Sequence, residues 1–307
     1  MVMRRVLKHH VCFCFLSTAL LAGVSLIAAQ EKVYAGSQGN CRVAVDTGSD
    51  GSKPIVCDGS VMRGDGVLSD DWNIDMDKYI GMPAVEVRGG ADIMMSGTLT
   101  VINTGDRGSS GRNDNQPAIK VHEQGQLKLM DATVTDVHKG IEVGDGSVTV
   151  VTGSIGVKKD GVVLEVKNKG RVMLMMKGQG VTVEKGGNST GIVMDGDGTV
   201  ELMGTGFTDV KTGIKIKGAG KANVTMTGKG TTITVGSSGK GIVMQGQGEA
   251  EVTGGTIVGS GGVVGAEVKG GTLTLIGTNF TKVTTGAEVK GDGKLKMTGG
   301  EDCGYEC

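Results

Sequence analysis

The sequence predicts an all-β chain wound into a parallel β-solenoid, and three observations predict it. Glycine is abundant while rings are scarce: of 307 residues 57 are Gly, 3 are Pro, and only 4 Phe, 3 Tyr and 1 Trp occur. Apolar and polar residues alternate in short runs. Those runs recur at a period near 22 residues. Collagen would need Gly at every third place with abundant Pro, and an ordinary α/β enzyme would use far less Gly. Disorder is excluded by an apolar content of 38%, rich in Val and Ile, with 32 basic against 33 acidic residues. A net charge of -1 and 3% aromatic residues leave neither an electrostatic footprint nor stacking platforms for nucleic acid.

Aligned on a small residue, the repeating units start at Ala84, Ala118, Gly140, Gly161, Gly191, Gly213, Gly241, Gly265 and Gly286. In each, the next residue is apolar, from Val85, Ile119, Ile141 and Val162 through Ile192, Ile214 and Ile242 to Ala266 and Ala287. The residue two beyond is apolar as well, which is the period-2 signature of a half-buried strand. A second alternating run follows in most units, for example Thr199-Val200-Glu201-Leu202 and Lys294-Leu295-Lys296-Met297. Between the runs, Gly196-Asp197-Gly198, Gly246-Gln247-Gly248 and Gly291-Asp292-Gly293 supply residues tolerant of positive φ, so glycine marks corners.

Two or three short strands per unit describe one coil of a solenoid. Burying roughly four aliphatic side chains gains about 6 to 12 kcal/mol, while ordering about 22 backbones costs at least about 20. A unit therefore needs neighbours. Stacking places Ile192, Ile214 and Ile242 above one another inside, with backbone groups paired between coils. A hairpin-built fold would instead show two-residue Asn-Gly or Asp-Gly signals every 8 to 12 residues.

Residues 1–35 read as an export signal. Arg4, Arg5 and Lys8 form a basic region, Val11 to Ala29 is apolar, and Val33-Tyr34-Ala35 offers the small residues a signal peptidase inspects, with cleavage expected between Ala35 and Gly36. A membrane anchor is the competing reading of the apolar run. After cleavage four cysteines remain, Cys41 with Cys57 and Cys303 with Cys307, and in an oxidising compartment they read as two local disulfides. Zinc fits worse, because neither pair has a C-x-x-C spacing or a nearby His. The expected organisation is a signal peptide over 1–35, a disulfide-stapled cap over 36–82, repeats over 83–299 and a short acidic tail over 300–307.

The leader from Leu7-Lys8-His9-His10 to Lys32-Val33-Tyr34-Ala35, with the segment Pro54-Ile55-Val56-Cys57-Asp58-Gly59, resembles the amino-terminal region of Bartonella-type autotransporters. The repeats look like a pertactin-like passenger domain, a right-handed parallel β-helix. The resemblance implies a secreted or surface-associated protein located in the periplasm, on the cell surface or outside the cell. It implies an adhesin binding a host cell-surface or extracellular-matrix protein. One departure is large: the family ends in a translocating barrel with aromatic girdles, whereas this sequence runs Glu301-Asp302-Cys303-Gly304-Tyr305-Glu306-Cys307. The expected translocator is thus supplied elsewhere or lost.

The search for chemistry returns little. His122 and His138 are the only histidines after residue 36, and no nucleophile elbow, H-E-x-x-H or P-loop occurs. No catalytic residue, metal or cofactor is expected. Two rival readings stand beside the adhesin, a truncated structural remnant without a receptor of its own and a carbohydrate-active β-helix enzyme, a polysaccharide lyase or hydrolase, which would need a groove with at least two carboxylates and a basic residue. The outward ladder of the repeats reads Glu86, Lys120, Glu142, Val163, Val193, Lys215, Val243, Glu267, Glu288, so only Glu267 and Glu288 are expected to stack as carboxylates, on an exposed face neutralised by Lys269 and Lys290. Asp70, Asp71, Asp75 and Asp77 lack the spacing of a calcium loop and read as solvated cap residues. Arg63-Gly64-Asp65 is a candidate integrin-type motif, with chance as its competing explanation. The polar run from Asn103 to Gln116, containing Arg107, Arg112, Asn113 and Asp114, is a candidate binding loop.

Overall fold

The computed structural model describes residues 41–43, 52–60, 65–79, 81–103, 116–175, 181–183 and 187–299. They form a parallel β-solenoid of about nine turns. Three longitudinal faces stack along it. Face 1 begins with Ile55–Asp58, Val85–Arg88 and Pro117–Val121 and ends with Val264–Val268 and Thr285–Val289. Face 2 begins with Asp65–Leu68 and ends with Glu249–Gly254, Thr272–Ile276 and Lys294–Thr298. Face 3 begins with Trp72–Asp75 and ends with Thr256–Gly259 and Asn279–Thr281. Some strands turn the corners without a break: Ser147–Lys167 contributes successively to faces 2, 3 and 1.

The expected aliphatic stack is present, since Ile192 pairs with Ile214 and Ile214 with Ile242, all fully buried. Each coil supplies a third strand, on face 3, that the repeat pattern alone does not separate from its neighbours. The solenoid also starts earlier than residue 83. Ile55–Asp58, Asp65–Leu68 and Trp72–Asp75 already pair in parallel with the next coil, so a complete coil lies inside the stretch assigned to the cap. Cys41–Val43 pairs antiparallel with Ile55–Asp58, and the Cys41–Cys57 disulfide joins directly opposed residues.

One repeat start needs correction. The register pairs Ile141 with Leu164 and Glu142 with Glu165, so the unit aligned on Gly161 starts at Val163. Val162, Val163 and Leu164 are all apolar, and without alternation the sequence accepts either register. Val163 then leaves the outward ladder, where it was expected, and Glu165 enters it.

Glycine at the repeat start answers a packing constraint. A Cβ built on Gly191, Gly213, Gly241 or Gly265 lies within 2.6 Å of a carbonyl oxygen of the next coil. It also lies 2.7 to 3.0 Å from a side chain of its own coil's face 3, respectively Phe207, Ile233, Ile257 and Phe280. The turn glycines divide in the same manner: Gly196 and Gly291 have positive φ, whereas Gly246 and Gly248 do not, and a Cβ on either would run into the backbone of the turn stacked against it.

Candidate functional site

With the register corrected, the outward residues of face 1 form two carboxylate pairs. Glu142 stacks on Glu165, and Glu267 stacks on Glu288. Lys139 and Lys240 occupy the same ladder, three residues before the first carboxylate or its equivalent. In the first pair, Lys139 Nζ sits 2.7 Å from Glu142 Oε2 and 2.5 Å from Glu165 Oε2, with Lys167 3.1 Å from Glu142. In the second, Lys240 donates to Glu267, joined by Lys290 at 3.1 Å and Lys269 at 3.5 Å, while Lys290 reaches Glu288 at 2.7 Å.

These geometries set the protonation states. Burial pushes the Glu267 carboxyl upward, but hydrogen bonds from Lys240 and Lys290 outweigh it and hold the group down at about 2. Glu142 is likewise lowered, its burial overcome by the Lys139 hydrogen bond and charge. The expected exposed face is therefore corrected at Glu267, which is only 2% exposed beneath its three lysines, and at Val193 and Val243, which lie on the outward ladder but are buried as well. Carboxylates held this firmly as anions cannot donate a proton near neutrality. At the amino-terminal end of the same ladder, Glu86 accepts from His122 at 2.8 Å and lies 3.7 Å from Arg88. Among the described residues no group of three His, Cys, Asp or Glu could hold a metal ion.

Face 2 carries a different feature, a cavity of about 310 Å³ open to solvent. Its floor is Thr272 and Thr274. On one side Glu249 and Glu251 stand on the preceding coil, and on the other Lys296 stands on the following one. Lys221 and Asn223 extend the acidic side by one further coil, Lys221 lying 3.6 Å from Glu249. The cavity exists because two short threonines are flanked on both sides by longer side chains. Sequence reasoning missed it: no local motif joins these residues, and only ladder positions counted across four coils bring them together.

Several predicted positions lie outside the described residues: the cleavage site Ala35-Gly36, Arg63 and Gly64, the four loop residues Arg107, Arg112, Asn113 and Asp114, and Cys303 with Cys307. Asp65 is the first residue of Asp65–Leu68 and pairs with Asp92. The described strands on either side of the polar run are Asp92–Ile102, which ends on face 3, and Pro117–Val121 on face 1. Of the acidic group, Asp75 caps the short helix Met76–Lys78 by accepting from the Asp77 amide, and Asp71 accepts from the Thr98 amide. These are structural bonds. Compared with known protein families, curated proteins and solved structures, the chain matches none.

Proposed function

We propose that this chain is an exported binding rod, an adhesin that engages a host cell-surface or matrix protein and performs no chemistry of its own. The observation that carries this reading is the rod itself. Its coils consume their backbone hydrogen bonds in parallel pairing with one another, which leaves rigid outward ladders of side chains and connections that emerge at the corners. Residues 104–115, outside the described residues, lie in sequence between Asp92–Ile102 and Pro117–Val121. Ion-paired carboxylates on face 1 suit a stable surface better than general acid catalysis. The Cys41–Cys57 disulfide supports passage through an oxidising compartment.

Quantitative binding of the exported chain to cultured cells and to immobilised matrix proteins tests this. Saturable binding that weakens in an Arg107→Ala, Arg112→Ala double variant is the expected result. The absence of saturable binding overturns the reading. The rival is enzymatic, and the face 2 cavity meets its compositional requirement, with Glu249, Glu251 and a nearby lysine. Depolymerisation of any member of a polysaccharide panel would favour it.

A further inference from the structure

We infer that the face 2 cavity is a glycan subsite, a slot that binds a neutral or amino-sugar-containing saccharide through its hydroxyl groups. This deepens the binding role proposed above and rests on it. The slot is one coil wide at its floor: Thr272 and Thr274 provide hydroxyls, with Glu249 and Glu251 one strand away on one side and Lys296 one strand away on the other. Two inter-strand spacings set the acidic and basic walls about 10 Å apart, wide enough for a pyranose ring.

The chemistry of the lining selects the ligand. Glu249–Gly254 and Thr272–Ile276 are paired in parallel on both edges, and Lys294–Thr298 is paired on the edge that borders the slot, so a peptide strand cannot be added within it by main-chain pairing. Recognition is left to side-chain hydroxyls, the Asn223 amide, carboxylates and ammonium groups. Vicinal hydroxyls both donate and accept, so they can satisfy the acidic wall and the basic wall together. The lining sets Lys221 and Lys296 against Glu249 and Glu251, so it carries no net charge and suits a neutral or zwitterionic saccharide better than a polyanion, while its only apolar members are Ala222 and Ala250. The amino group of an amino sugar would face the acidic wall. The volume lies at the lower end of the range for ligand pockets, which fits one or two sugar units of a longer chain.

The test is saturation-transfer NMR of the full exported chain titrated with neutral, amino-sugar and sulfated oligosaccharides. Saturable binding of a neutral or amino sugar is expected. A Thr272→Val, Thr274→Val variant keeps strand propensity but removes both floor hydroxyls, and should weaken binding about tenfold. Lys128→Ala, on an earlier coil of the same face, should leave it unchanged. Preference for the sulfated oligosaccharides, lack of saturation by any sugar, or binding unaffected by the double variant overturns the assignment. Cell binding measured in parallel separates the two claims: attachment without sugar binding removes the slot and keeps the adhesin, while sugar binding without attachment does the reverse.

Discussion

In the coils that begin at Ala84 and Ala118, the corner between face 3 and face 1 holds an alanine, and the facing ladder carries Val101 and Val134. In the coils that begin at Gly191, Gly213, Gly241 and Gly265, the corner holds glycine and the same ladder carries Phe207, Ile233, Ile257 and Phe280. The coil at Gly140 joins the second group, with Ile155 opposite. Both regions have the same strand pairing and the same buried interior. They differ in which side of the corner supplies the atoms. In these seven coils a larger face 3 residue goes with a smaller repeat start, so the corner volume is kept while residue identity changes; the coils that start at Pro54, with Ile74, and at Val163, with Val181, do not follow the exchange.

The largest test of that compensation removes the bulky partner. Phe207→Ala beside Gly191 leaves both sides of the corner small and should cost about 4 kcal/mol, read as a shift in urea unfolding. Val134→Ala in the amino-terminal coils should cost clearly less. Second, removal of the Cys41–Cys57 disulfide should cost about 3 kcal/mol on the chain-entropy model. Hydrogen exchange should localise that loss to the coils near Ile55 and leave those near Ile242 protected. Third, Gly241→Ala should cost about 2 kcal/mol through overpacking against Ile257 and the neighbouring carbonyl. Combining it with Ile257→Ala removes the γ-methyl that the new Cβ would meet, and the pair should cost less than the sum of the single changes. Strict additivity would break the comparison.

A fourth effect concerns acid. Because the folded Glu267 carboxyl is held down at about 2, its contribution is fully present above the ordinary carboxylate range, and it is lost as pH falls through that range towards 2. Glu142 acts in the same direction. Acid unfolding curves of Glu267→Gln should therefore converge with those of the parent at low pH and separate above pH 4.5.

Much of this architecture was legible from residue order alone, because a small residue fixes the register just before Ile192, Ile214 and Ile242 and each is followed by a second alternating run. The slip at Gly161 arose where three consecutive apolar residues erase the alternation, and it hid Glu165 from the carboxylate ladder. The burial of Glu267 was not legible either, because Lys240 and Lys290 reach it from the coils before and after its own. The slot on face 2 needed the register of four coils at once. Glycine was legible as a corner marker, but its second role, making room for the coil stacked against it, depends on distances between residues more than 20 positions apart.

The stacking itself is tested most directly by paired cysteines on the outward ladder of face 1. Val193 and Lys215 are register partners on adjacent coils, while Val193 and Val243 are two coils apart. Adjacent strands place Cα atoms within disulfide reach, and two spacings do not. Under mild oxidation the Val193→Cys, Lys215→Cys variant should form an intramolecular disulfide and the Val193→Cys, Val243→Cys variant should not. Cross-linking of the second pair but not the first would contradict the parallel register and the corner compensation built on it.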